Sequence, residues 1–148
     1  MTTLLIRALT PDDRAAWEPL WQGYLAFYET ELTPTTTDTT WTRFHDTEQP
    51  MFALGAVIDG RLVGIAHYLF HRSSWSISDS CYLQDLFVGP DARGHGVGRA
   101  LIEAVAQRAR EAGSERLYWH THETNRTAQA LYDKVATLSG FIQYRKDL

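Results

Sequence analysis

The chain has one cysteine, Cys81, in 148 residues. A lone thiol cannot close an intrachain disulfide or assemble a thiolate metal site, and its scarcity fits a reducing compartment. No apolar run approaches the roughly 18 to 20 residues of a membrane span. The amino terminus MTTLLIRALT lacks the basic start and small-residue cleavage site of an export signal. A cytoplasmic protein is expected. Lysine and arginine number 14 against 18 acidic residues, for a formal net charge of −4, and nowhere gather into the stripe a nucleic-acid backbone requires. Nucleic acid is therefore not an expected partner. Repeats and internal linkers are also missing. What remains is 44% hydrophobic and 22% charged, ordinary for a globular protein, and one domain over residues 1–148 is expected.

Residues 3 to 8 read as a strand, followed by Thr10 as a helix cap, Pro11 at the first helical position and acids in the first turn. Trp17, Leu20, Trp21, Tyr24, Leu25 and Tyr28 then recur at helical spacing, predicting a helix over 11 to 28 with an apolar, aromatic face. The polar TELTPTTTDTT that follows predicts a mobile connection, with Asp38 capping a short helix that carries Trp41 and Phe44. MFALGAVI and RLVGIAHYLF, joined by Asp59-Gly60, predict an antiparallel hairpin. CYLQDLFV, residues 81 to 88, predicts a strand stopped by Gly89-Pro90. Val97, Leu101, Ala104, Val105 and Ala109 predict a helix that Gly113 ends. RLYWHTH reads as a strand, residues 124 to 138 as a helix with Ala128, Leu131, Tyr132, Val135 and Leu138 on one face, and FIQYR as a closing strand. The expected order is βααβββαβαβ.

The densest signal is DARGHGVGRALIEAV, residues 91 to 105, where a glycine-rich turn runs straight into a helix. The first amides of a helix have no internal partner and sit at the positive end of its dipole, so strand, turn and helix together make an anion site. Two phosphate-binding patterns fail on the letters. A P-loop needs Lys-Ser/Thr after its glycine, but Arg99 and Ala100 follow Gly98. A dinucleotide turn started at Gly94 needs a third glycine where Arg99 stands. What fits is Arg93-x-x-Gly96-x-Gly98, with Gly94 beside it.

That turn resembles the pyrophosphate-binding segment of the GNAT superfamily of N-acetyltransferases. YLQDLFVGPDARGHGVGRALI is similar to the family's strand and helix, ETNRTAQALYDKVA to its Asn-x-x-Ala-x-x-Leu-Tyr helix, and SGFIQYR to its closing strand. HYLFHRSSWS and CYLQDLFV bring the resemblance nearest to the branch of polyamine, thialysine, small histone and D-amino-acid acetyltransferases. The resemblance implies an α/β (α+β) fold with a mixed, mostly antiparallel central sheet flanked by helices. It also implies acetyl-CoA as cosubstrate and a homodimer that often shares the last strand; no metal is expected, because no third ligand accompanies the pairs His120/His122 and His67/His71.

Residue by residue, the resemblance assigns the pyrophosphate to amides of His95, Gly96, Val97, Gly98 and Arg99, with Gly94 beside them and charge from Arg93 and Arg99. Phe87 and Val88 end the strand along which the pantetheine arm lies, and a main-chain N–H near Val88 polarises the thioester. Asn125 matches a cofactor-contacting asparagine, although a helix cap is an equal reading of it. Tyr132 matches the general acid for the departing thiolate, with core packing as the alternative. The branch carries a glutamate where this chain has Gln84, so the implied base is displaced. Asp85 remains, but strand alternation points it to the opposite face from Gln84. Tyr28 and Glu29, with Glu31, end the aromatic helix where relatives line the acceptor pocket. His120 and His122, two apart on an expected strand, and His67 and His71 read as polar lining or core histidines.

The expected activity is acetyl transfer from acetyl-CoA to a primary amine of a small molecule or basic peptide, by direct attack in a ternary complex. Two other readings stand beside it: an acyl-CoA-binding sensor without turnover, motivated by Gln84, and an acetylator of proteins or aminoacyl-tRNA.

Overall fold

The computed structural model describes residues 3–148. Strand β1 (Leu4–Ala8) leads through a 3-10 turn, Pro11–Asp13, into α1 (Arg14–Phe27) and then α2 (Pro34–Phe44). The hairpin β2 (Met51–Ile58) and β3 (Arg61–His71) precedes β4 (Ser80–Val88). A second 3-10 turn, Pro90–Ala92, leads into α3 (Val97–Glu111), and β5 (Arg116–Tyr118) and α4 (Arg126–Val135) follow. The sheet runs β1-β2-β3-β4-β5, antiparallel throughout except for the parallel β4–β5 pair. The mixed, mostly antiparallel α/β architecture is the one the sequence implied.

The hairpin forms on Asp59 and Gly60, whose φ angles of 51° and 77° both lie in the left-handed region that a two-residue turn between twisted strands demands. The aromatic face of α1 packs on one side of the sheet, where Trp17, Trp21 and Leu25 are buried with Trp41, Ala53 and Ile65. On the other side Val97, Leu101, Ile102, Val105 and Ala109 of α3 cover Leu54, Ala66, Tyr68, Cys81 and Leu83. Leu131, Tyr132 and Val135 of α4 border that second core.

Four expectations fail. The threonine-rich connection is helix from Pro34 onward, because Thr33 caps it by accepting the Thr36 N–H at 3.2 Å and Pro34 fits its first turn. Asp38 caps nothing and instead pairs with Arg14 at 2.7 Å. The strand read in RLYWHTH is only three residues long. FIQYR forms no strand, and Phe141, Ile142 and Tyr144 are 81%, 77% and 91% exposed, so its apolar side chains find no packing among the described residues.

The start of α1 is tied to the sheet by charge. Arg7 of β1 donates two hydrogen bonds to Asp13, at 2.8 and 3.0 Å, and the same carboxylate accepts the Thr10 amide at 2.7 Å. The Arg7 hydrogen bond is the main cause holding the Asp13 carboxyl down at about 2. A carboxyl lowered in the fold stabilises it above the unfolded pKa, and that contribution fades as pH falls through about 2. Arg7 is partly exposed, so screening trims the effect. We expect Asp13→Ala to cost about 1 to 2 kcal/mol at neutral pH. In urea titrations the gap to the parent should close between about pH 4 and pH 2; a constant gap would contradict the assignment.

Candidate active site

The register of β3 against β4 breaks once. His67 faces Asp85 and Tyr68 faces Leu83, so Gln84 is an extra residue, a β-bulge. One inserted residue reverses the side-chain alternation beyond it. Cys81 and Leu83 belong to the α3 core, yet beyond the bulge Leu86 and Val88 do so, and Phe87 joins the α1 core. Asp85 therefore does not lie on the opposite face from Gln84, as unbroken alternation predicts; the bulge turns both toward the α1 side.

The surroundings of Asp85 follow from this. Its Oδ2 lies 2.9 Å from Nδ1 of His67, which is 2% exposed. The hydroxyl of Tyr24 is 3.5 Å from the Gln84 carbonyl. Burial raises the phenols of Tyr24, Tyr28 and Tyr82 above the ordinary tyrosine range, and the Asp85 charge pushes each further up. Tyr82 also stacks on Tyr118 with ring centres 4.9 Å apart, and its hydroxyl is 3.1 Å from Nδ1 of His120. His120 lies just past β5 and not on a strand, so its register with His122 is lost; His122 instead bonds Thr124 at 2.7 Å. His71 is 2.7 Å from the Tyr118 hydroxyl.

Strand β4 is paired with β5 through Ser80–Tyr82 alone among the described residues. From Leu83 to Val88 its outer edge therefore opens a gap, at whose end the chain turns into α3. In that turn Gly94 and Gly96 have φ of 81° and 75°, and a Cβ on either would stand in open space. The first helical bond runs from the Ala100 N–H to the Gly96 carbonyl at 3.0 Å, which leaves the Val97, Gly98 and Arg99 amides without intrahelical acceptors. The Val97 side chain is buried, so it offers the turn its amide only; His95 and Arg99 are exposed. Arg93 is already engaged: its Nε donates to the Val88 carbonyl at 3.0 Å and its guanidinium lies 5.4 Å from the Phe87 ring centre.

From α4, Tyr132 packs edge-on against Trp119 at 5.4 Å. Burial raises its phenol above the usual tyrosine value, and Tyr28 adds to the shift. Asn125 caps α4, its Oδ1 accepting the Ala128 N–H at 3.2 Å. Glu29, with φ of 52°, and Tyr28, 41% exposed, end α1 on the same side. A depression of about 730 Å³ lined by Pro50, Phe70, Arg72 and Asp79 lies toward the other end of β4 and contains none of these residues. Sequence reasoning missed the grouping of Tyr24, His67 and Tyr82 around Asp85. Only the bulge assembles it, and no residue in YLQDLFV announces a bulge.

A mostly antiparallel sheet that splits beside a glycine turn at a helix start defines the class, an acyltransferase fold. Residues 13–136 match the model of the acetyltransferase (GNAT) family, and the chain belongs to that family. It is 38% identical over 146 residues to the D-amino-acid N-acetyltransferase HPA3 of Saccharomyces cerevisiae, covering 97% of this chain and 91% of the relative. It is 35% identical over 71 residues to the thialysine N-epsilon-acetyltransferase of Bos taurus, covering 48% of this chain and 41% of the relative. Among solved structures, the aminoglycoside N-acetyltransferase AAC(6')-Iy in complex with CoA superposes with a TM-score of 0.84, at 19% identity over 100% of this chain and 97% of that one. The protein is thus an N-acetyltransferase that uses acetyl-CoA.

Deleting Gln84 should restore regular pairing in β4 and turn either Asp85 and Phe87, or Cys81 and Leu83, to the wrong face. We expect the deletion to cost at least about 3 kcal/mol in urea unfolding, the scale for a misplaced charge or core side chain. A loss within about 0.5 kcal/mol, as for an ordinary surface change, would contradict the bulge's role.

Proposed function

We propose that the protein acetylates a primary amine of a small molecule, such as an amino acid, a polyamine or an analogue, or of a basic peptide, by direct attack within a ternary complex. The observation that carries this reading is the gap beside β4, with Asp85 on its α1 side and Tyr132 on its α4 side. Acetyl-CoA bound there supplies an activated acyl group as a thioester. The free amides of the glycine turn suit a pyrophosphate: Gly94 and Gly96 leave their side-chain space open, and the helix start is electropositive. The edge of β4 beyond Tyr82, without β5 beside it, offers main-chain groups to the pantetheine amides, and the Val88 N–H suits a developing oxyanion, the Val88 carbonyl being taken by Arg93. Asn125 adds a polar group at the start of α4.

Asp85 takes a proton from the acceptor amine, which is mostly protonated at neutral pH when its pKa is near 10. Tyr132 keeps its proton because burial raises its phenol, and it donates that proton to the leaving thiolate. Tyr28, Glu29, Gln84 and His120 border the acceptor side. A small acceptor agrees with the names of the D-amino-acid and thialysine relatives. The sensor reading loses its motive, since the bulge brings a carboxylate to the face where Gln84 replaces the branch's glutamate.

A cytoplasmic homodimer completes the proposal. Among the described residues no helix is long and apolar enough to cross a membrane. Phe141, Ile142 and Tyr144 expose apolar surface that a second copy would cover. Sedimentation should give a dimer for the parent and a monomer for Phe141→Asp/Tyr144→Asp; a monomeric parent would contradict the assembly.

The transfer itself is tested by thiol release from acetyl-CoA with polyamines, lysine analogues, D- and L-amino acids and a histone-tail peptide. Release should depend on the acceptor and fall about a hundredfold in kcat in Tyr132→Phe. Gly96→Ala should raise the acetyl-CoA KM about tenfold with little change in kcat. Binding of acetyl-CoA with no turnover on any amine would favour the sensor instead.

A further inference from the structure

Behind Asp85 runs a polar chain that the chemistry above leaves unused. Trp17 is fully buried and His67 nearly so, inside a box of aromatic rings. The imidazole centre lies 6.0 Å from Trp17, 5.1 Å from Trp21 and 4.5 Å from Phe44. Trp17 Nε1 is 3.0 Å from His67 Nε2, while His67 Nδ1 is 2.9 Å from Asp85 Oδ2. An indole nitrogen can only donate. Nε2 must therefore be the bare, accepting nitrogen, and the ring hydrogen sits on Nδ1, from which it is donated to the carboxylate. An imidazolium would leave the Trp17 N–H facing another N–H. The direction of donation is fixed along the whole chain, from the core to the cleft.

An apolar side chain of similar size would fill this box without requiring a partner for each nitrogen. The polar arrangement is accounted for by what stands at its end, a carboxylate turned into the cleft by the bulge. The charge of that carboxylate adds to burial in raising the phenols of Tyr24, Tyr28 and Tyr82. On the outer side Arg14 lies 5.6 Å from the Trp17 ring centre.

We propose that Trp17 and His67 are positioning residues for Asp85: Trp17 locks the neutral Nδ1–H tautomer of His67, which holds Asp85 Oδ2 and leaves Oδ1 to meet the acceptor amine. This rests on the reading of Asp85 as the base. No proton travels along the chain. The proton leaving the acceptor nitrogen rests on Asp85 Oδ1 and passes to water, while His67 keeps its own throughout, because Nε2 is occupied by Trp17.

Full-length protein labelled with ¹⁵N in histidine tests the lock without any substrate. His67 should show a protonated Nδ1 and a bare Nε2 at neutral pH. Trp17→Phe should release the lock, with the Nε2–H tautomer appearing beside the Nδ1–H form. An Nε2–H tautomer or an imidazolium in the parent would overturn the proposal. Kinetics test the purpose of the lock. Asp85→Asn should lower kcat at least about a hundredfold. His67→Phe should lower kcat about tenfold or more, with the acetyl-CoA KM held within about twofold, as expected when orientation rather than binding is lost. His67→Asn, whose amide can donate in place of Nδ1, should recover most of that loss, which a purely structural role would not produce. If His67→Phe turns over like the parent while Asp85→Asn does not, the positioning role falls and the base stands. If Asp85→Asn is fully active, both fall.

Discussion

Everything in the cleft depends on which way β4 turns its side chains, and one extra residue decides it. Without the bulge at Gln84, a strand that buries Cys81 and Leu83 under α3 would carry Asp85 and Phe87 into the same core. A carboxylate there would have neither solvent nor a partner, and burial without a partner costs several kcal/mol. With the bulge, Leu86 and Val88 continue the α3 core, Phe87 joins the α1 core, and Asp85 meets His67. Bulges also increase local twist, and the bulge falls just past the last β4–β5 pair, Tyr82 with Tyr118. The displaced carboxylate and the opening of the sheet thus occur at one point of the chain.

The α1 layer answers that displacement. Its stripe of aromatics fills the space over β3 and β4, and besides Tyr24, whose hydroxyl reaches the Gln84 carbonyl, two members carry polar atoms with specific partners: Trp17 to His67 and Trp21 to Thr37 at 3.3 Å. Each bond ties a helix to a different element, Trp17 to the central strand and Trp21 to α2. The second bond explains why a threonine-rich segment is ordered. Thr37 is 2% exposed and supplies the acceptor that the buried indole needs. Polar side chains therefore fix the register of both helices against the sheet, and apolar area supplies the bulk of the burial.

What was legible in the sequence was local. The Asp59-Gly60 turn, the aromatic stripe of α1, the glycine turn before α3 and the stop at Gly113 are each set by residues within one turn of the event. The misreadings share the opposite cause. Composition marked residues 30 to 40 as loop, but a cap from Thr33 and a buried partner for Thr37 outweighed it. FIQYR has the alternating apolar character of a strand, and a strand needs an edge to pair with, which this tail does not find among the described residues. Asp85 was assigned to the wrong face because alternation holds only while pairing is regular, and a bulge is a property of two strands together. Asn125 was open between two roles, and its Oδ1 caps α4.

The two walls of the gap also divide the chemistry. On the α1 side a carboxylate is surrounded by phenols that its own charge and burial keep protonated, so Tyr24, Tyr28 and Tyr82 can donate hydrogen bonds but do not compete for the proton of an amine. On the α4 side Tyr132 is raised chiefly by burial, with Trp119 against its ring. A phenol that holds its proton is an acid suited to a leaving group whose own proton affinity rises as the thioester bond breaks. In the proposed mechanism base and acid stand on opposite walls of the gap, and burial is the main cause that keeps the phenols of both walls protonated, the Asp85 charge adding to it on the α1 side. The proposed mechanism then passes a proton from the acceptor at one wall and delivers another at the opposite wall, with no direct transfer between the two groups, and water restores both after each turnover.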